Sequence, residues 1–314
     1  MPDSVELWEQ PKAERMYMIA GWRQWADGGA VSSGLPEYLV EQLNAQEIGQ
    51  IRADGFYMFQ FPGTHDLVRP VIRFNEGYPE ALDVPENRIY YAESNQRGLV
   101  ILIGDEPQLD MERYAQAVLQ VARQLHVRRI VGLGGVYGEF PFDKERSLSG
   151  SYSLRPMKEE MNRLAVQLTD YQGGASVGAY ICRRAGEQNM EYVGLYAFVP
   201  MFDFSNSTQL SHRLQIENDY MAWLAVLRRI NYMLKVDLNL NDLIEKSQEE
   251  ISELNIKLAE LEKLAPQLEL REYFQRINEE FTEVPFIPLD DVWEENVRRI
   301  LDKFEDKEDP KPTA

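Results

Sequence analysis

Leu99-Val100-Ile101-Leu102-Ile103 is an unbroken run of branched apolar residues, stopped by Gly104-Asp105. A strand with no polar alternation must be buried on both faces, which calls for a sheet covered by helices on both sides. Met16–Ala20 running into Gly21, Ile130-Val131 running into a turn at Gly132-Leu133-Gly134-Gly135, and Val193–Val199 read the same way. Ile48–Phe61 and Leu164–Leu168 add further strand-like segments. Between them lie helical patterns: Val31, Leu35, Leu39, Val40 and Leu43; a helix capped by Asp110 with Tyr114, Val118, Leu119, Val121 and Ala122 on one face; Val177–Gly186; and about Gln209–Leu234. Alternation of this kind predicts an α/β domain over residues 1–236 with a largely parallel sheet.

Residues 237–265 break from that pattern into a heptad. Ile244, Ile251, Leu258 and Ala265 occupy one seam position, and Leu240, Ser247, Leu254 and Leu261 the other. The flanks are charged or amide, so the apolar stripe is only two residues wide and is suited to meeting another helix. Leu240, Ile244, Ile251, Leu254, Leu258 and Leu261 are the expected helix–helix interface, either in a hairpin folded back on its own domain or in a coiled coil between subunits. A second acidic helix follows Pro266 through Leu268, Leu270, Phe274, Ile277 and Phe281, then a last helix near 290–304. Residues 237–304 thus form a helical extension, and 305–314 a disordered tail.

Charge narrows the partners. The net charge is −19, and residues 237–314, with 22 acidic and 10 basic side chains, hold −12 of it. Such a field repels nucleic acid and anionic membranes and favours basic partners or simple solubility. No apolar run reaches bilayer-spanning length, and Met1–Glu6 lacks the parts of a signal peptide. A single cysteine, Cys182, excludes an internal disulfide and a cysteine zinc cage. A cytoplasmic location is expected, with no membrane and no nucleic acid among the partners.

Candidate chemistry is sparse. His65, His126 and His212 sit at no metal-ligand spacing, so neither metal nor cofactor is expected. Gly174-Ala175-Ser176-Val177-Gly178 fits the nucleophile-elbow pattern, but Ser176 as a helix N-cap explains the same residue. No catalytic residue is assigned. Asp105 and Glu106 read as solvated loop acids. The glycine turns remain as a ligand cleft: Asp27, Gly28 and Gly29; Gly132, Gly134 and Gly135; and Gly173 and Gly174. At strand ends their N–H groups could cradle an anion, although close backbone packing accounts for the same glycines.

Taken in order, Gly21-Trp22, Asp27-Gly28-Gly29, Arg69-Pro70, Leu102–Pro107, Gly132–Gly135, Tyr171-Gln172-Gly173 and Tyr196–Pro200 resemble the proteasome assembly chaperone 2 family in its bacterial and archaeal branch, over roughly residues 15–235. The resemblance implies a three-layer α/β/α domain similar to nucleoside phosphorylases and peptidyl-tRNA-hydrolase-like folds, a helical C-terminal extension and oligomerisation. Where bacterial relatives often carry histidines, this chain has Pro141-Phe142-Asp143-Lys144-Glu145 and Pro200-Met201-Phe202, whose aromatic and thioether groups transfer no protons. Its Pro312-Thr313-Ala314 end lacks the hydrophobic-Tyr-X tail of proteasome-activating partners. The expected function is a non-enzymatic, homo-oligomeric binding or assembly factor with a protein partner. The alternative is a phosphorylase- or hydrolase-type enzyme holding an anionic small molecule at the glycine-rich strand ends.

Overall fold

The apolar runs alternate between two cores along each strand. On the strand Arg15–Arg23, Tyr17 and Ile19 enter one core, and Met16, Met18, Ala20 and Trp22 the other. Leu99, Ile101 and Ile103 part from Val100 and Leu102 in the same way. A period-two split into two dry clusters is what a sheet with helices on both faces requires. The computed structural model describes residues 4–23, 25–60, 69–203, 213–284 and 286.

The elements run β1 (Val5–Leu7), β2 (Arg15–Arg23), α1 (Gly34–Gln42), β3 (Gln46–Ile51), β4 (Val71–Asn75), β5 (Tyr78–Asp83), β6 (Asn87–Ser94), β7 (Arg97–Asp105), α2 (Met111–Gln124) and β8 (Val127–Gly138). They continue with β9 (Leu148–Tyr152), α3 (Lys158–Asn162), β10 (Gln167–Leu168), α4 (Val177–Glu187), β11 (Glu191–Asp203), β12 (Arg213–Gln215), α5 (Tyr220–Leu234), α6 (Asn241–Leu264) and α7 (Leu270–Glu280). The main sheet is ordered β1-β3-β6-β7-β2-β8-β11-β9-β10, with β12 on β11. Its centre, β7-β2-β8-β11, is parallel, while β1, β3 and β6 on one side and β9 and β12 against β11 are antiparallel. The sheet is therefore mixed, with the expected parallel character in its core and in the short edge pair β9–β10. Helices α2 and α4 cover one face, and α1, α5, α6 and α7 feed the cluster on the other.

Several boundaries move. The strand-like stretch from Ile48 ends at Ile51, and the one expected at Leu164–Leu168 shortens to two residues, with Leu164 buried in the turn after α3. The helix expected from Gln209 starts at Tyr220, where Asp219 accepts the N–H of Ala222 as its cap. Asp110 caps α2 as its sequence position predicts. The expected turn at Gly132–Gly135 is instead the interior of β8, which continues to Gly138 because its neighbour β11 stays paired along the whole stretch. The hairpin β4–β5 and strand β6 have no counterpart in the sequence reading. The first is exposed along most of its length, so it carries no buried-strand pattern to detect.

Residues 1–284 form one compact unit, and the extension expected from residue 237 packs into it. Leu254 and Leu258 are buried in the same cluster as α5, while Leu240, Ile244, Ile251 and Leu261 pack against it half-buried. The heptad stripe is thus spent inside its own chain. Phe274 of α7 stacks edge-on against Phe142 and Phe202. The helix expected near 290–304 and the tail lie outside the described residues.

Candidate functional site

Parallel strands end where their connecting helices begin, and in such sheets that edge holds the clefts. Here a small, shallow cleft opens beside the ends of β2 and β7 and the start of α4. Trp22, Arg23, Trp25 and Ala26 come from the end of β2 and the loop after it; Glu106 follows β7; Leu133 lies on β8; Ser176, Val177 and Gly178 open α4; Tyr196 stands on β11.

Of the polar groups in the cleft, Glu106 and Ser176 are tied to backbone, while Arg23 pairs with the carboxylates of Glu37 and Asp105. Glu106, half-buried, accepts the Trp25 N–H through Oε2 at 3.2 Å. Burial raises its pKa, and bonds from the Trp25 and Val177 N–H groups pull it back down. A carboxylate at the first N–H groups of α4 occupies the place where that helix would attract an anion. This reverses the reading of Glu106 as a solvated loop acid. Ser176 caps α4 by accepting the Ala179 N–H at 3.2 Å, and its Oγ lies 3.1 Å from the Tyr196 hydroxyl. Its backbone is extended, at φ −71° and ψ 163°, as an ordinary N-cap is. No described histidine lines the cleft; His212 and His65 lie outside the described residues, and His126 follows α2. Ser32, which also lines the cleft, accepts the Trp22 N–H and donates to the Leu133 carbonyl, both at 2.8 Å. Trp22 Nε1 donates to Tyr114, which donates to Asn87.

The glycines proposed from sequence sit next to this cleft without lining it. Asp27, half-buried, accepts the Ser32 and Ser33 N–H groups at 2.9 Å each and thereby caps the turn before α1. Burial raises its pKa and those bonds oppose the rise. Gly28 packs on Gly135: a Cβ at Gly135 would stand 1.8 Å from the Gly28 carbonyl oxygen. Gly29, at φ +60°, gives its N–H to the Tyr137 hydroxyl and its carbonyl to Asp219 N and Trp223 Nε1. The Tyr192 hydroxyl lies where a Cβ on Gly132 would be, and the Tyr196 ring where one on Gly134 would be, at 1.8 and 2.3 Å. Gly173 and Gly174 lie in the exposed loop leading to Ser176, Gly173 beside the Tyr171 ring and Gly174 in open space. Close packing therefore explains Gly132, Gly134 and Gly135, and the Gly135 N–H donates to the Ala26 carbonyl in the loop after β2 at 2.9 Å.

Cys182 is buried, and burial pushes its thiol up to about 11, far from a reactive thiolate. Among the described residues no cluster of His, Cys, Asp or Glu is placed to hold a metal, and no helix is long and apolar enough to cross a membrane. The sequence reading missed Tyr196 as a cleft residue. The signal was its spacing from Tyr192, which sets both on one face of β11 opposite Gly132 and Gly134.

The model of the family described as PAC2 matches residues 22–256. No curated protein matches the chain. Among solved structures, a proteasome-assembly chaperone homologue from Mycobacterium tuberculosis is 24% identical with a TM-score of 0.67, the match covering 81% of this chain and 100% of that one. A PAC2 family protein from Streptomyces avermitilis gives 22%, 0.66, 79% and 97%. An archaeal proteasome activator from Pyrococcus furiosus gives 19%, 0.57, 80% and 96%.

Proposed function

This chain belongs to the PAC2 family, and from that premise we propose that it is a non-enzymatic, homo-oligomeric assembly factor that acts on a protein partner. One observation carries the reading. The groups in the cleft that could do chemistry are engaged in holding the fold: Glu106 on the Trp25 N–H, Ser176 on the Ala179 N–H, and Tyr196 on Ser176. These bonds hold the three groups against the start of α4 and the loop after β2, and among the described residues no histidine or second carboxylate lines the cleft to activate Ser176.

Support for the partner class comes from the relatives, one described as a proteasome-assembly chaperone homologue and another as a proteasome activator. Ring-forming protease subunits are accordingly the first partners to test. The acidic surface favours a partner with a basic contact face.

The experiment mixes the purified full chain with separately purified ring subunits from the same source and follows assembly by native mass spectrometry. Faster ring formation, with E106Q and S176A as effective as the parent, is the expected result. A turnover of any small molecule that E106Q or S176A abolishes would overturn the non-enzymatic reading.

A further inference from the structure

Two strands, β4 and β5, stand apart from the main sheet and pair only with each other among the described residues. Their two-residue loop, Glu76-Gly77, has φ +49° and +87°, as a tight hairpin turn with positive φ at both central positions demands. Apart from half-buried Ala81, every residue of the two strands is exposed. A two-stranded ribbon is marginal in water on its own. Cross-strand partners share a face, so Ile72 with Leu82 and Phe74 with Pro79 lie on one side. Val71 with Asp83, Arg73 with Ala81 and Asn75 with Tyr78 lie on the other. Both sides hold apolar groups out in water: Phe74, Leu82 and Ile72 are 61, 58 and 47% exposed on the first, Tyr78 and Val71 73 and 57% on the second. The charges of the second side cancel, since Arg73 grips both carboxylate oxygens of Asp83 at 2.7 and 3.0 Å. What is left over is acidic: Glu76 in the turn and Glu80 near it enter no ion pair among the described residues.

We propose that the β4–β5 hairpin is an insertion arm, taken up by a groove of the partner protein with apolar walls and a basic floor. The proposal rests on the partner reading above and names the element that makes the contact. The two apolar sides decide between a groove and a flat surface. A flat surface covers one side and leaves the other in water, whereas a groove removes both. The area agrees. Val71, Ile72, Phe74, Tyr78, Leu82 and the adjoining Val84 leave on the order of 600 Å² in water, as large as the biggest patch of an ordinary monomer. With a matching area of groove wall, insertion buries about 1,200 Å² in all, the lower end of a standard specific interface. Charge selects the floor. Insertion carries Glu76 and Glu80 out of water, and a carboxylate so placed needs a cation to meet it. Lys or Arg side chains at the bottom of the groove supply one, and they also distinguish this partner from a second copy of a chain that carries −19. Added salt therefore weakens the contact.

Biolayer interferometry on the immobilised full chain, with the purified ring subunits as analyte at low and moderate salt, tests this. Three double variants separate the parts of the arm: F74E/L82E on one side, V71E/Y78E on the other, and E76K/E80K at the turn. Each should weaken binding about tenfold or more, with circular dichroism and melting unchanged because the ribbon is exposed. E76K/E80K should also flatten the salt dependence. If V71E/Y78E or F74E/L82E binds as the parent does, the arm is not enclosed on both sides and the insertion is overturned, while the partner reading stands. If E76K/E80K binds as tightly as the parent, the basic floor is overturned. If the parent itself does not bind the subunits, the partner reading and the arm fall together.

Discussion

Arg146 donates its Nε–H to Asp219 Oδ2 at 2.7 Å with both side chains withdrawn from water. The same guanidinium holds the carbonyls of Pro141, Phe142 and Lys144. Asp219 in turn caps α5 through Ala222 N and takes its own N–H bond to Gly29. One ion pair therefore ties the loop after β8 to the start of α5 and to the loop after β2. Removing one partner leaves a buried, uncompensated charge.

That sets the first expectation. R146A or D219A should each lower the free energy of unfolding by about 3–5 kcal/mol, read by urea denaturation at neutral pH. The double variant should lose less than the two singles together, since neither charge is then orphaned.

Glu250 of α6 approaches the same pair, accepting the Tyr220 N–H at 3.2 Å. Burial, followed by the neighbouring Asp219 charge, raises its pKa from an ordinary 4.5 to about 8. A raised acid pKa means that between these values the folded chain holds a proton that the unfolded chain has released. Stability from this group is thus fully present below about pH 4.5 and lost as pH rises toward 8. E250Q should cancel that slope. Its melting temperature should exceed the parent's above pH 8 and converge with it near pH 4.5; partial solvent access limits the gain to about 1 kcal/mol, or ~2–4 °C. Equal pH slopes for the two proteins would rule the account out.

The heptad stripe faces its own chain, which separates stability from assembly. L254A and L258A should each cost about 2–5 kcal/mol by denaturation. In sedimentation, folded samples of both should associate as the parent does. I256A, at a residue 58% exposed, should change neither.

At Gly135 and Gly174 the same substitution should have opposite consequences. G135A drives a Cβ into the Gly28 backbone, which cannot rotate away, and should destabilise or prevent folding; a Cβ on Gly174 meets nothing within 4 Å. G174A should melt within a degree or two of the parent. Differential scanning calorimetry of the pair decides the matter, and a well-folded G135A at parental stability would refute close packing as the reason for that glycine.

Much of the fold was legible because burial writes a pattern. The runs at Met16–Ala20, Leu99–Ile103 and Val193–Val199 became the middle of the sheet, and Asp110 and Ser176 stand at helix starts, as side chains that accept backbone N–H bonds should. The hairpin at residues 71–83 left no such trace, since an exposed ribbon has no burial to record. The cleft was half legible. Its loops were named, but glycines were taken for its lining, because a glycine required for close approach and one required for ligand access look identical in one dimension. Glu106 could not be told from a surface acid, since its partners, the N–H groups of Trp25 and Val177, belong to segments distant in the chain.

By itself, the sequence determined the α/β class, the two-sided central strands, the helix caps and the acidic, heptad-patterned character of the C-terminal quarter, because each depends on side-chain type and spacing within a few turns of chain. Tertiary structure alone decided which partner the heptad stripe meets, which glycines serve packing, and which polar groups gather at the ends of β2 and β7. Those outcomes depend on contacts between residues far apart in the chain, and local periodicity carries no information about them.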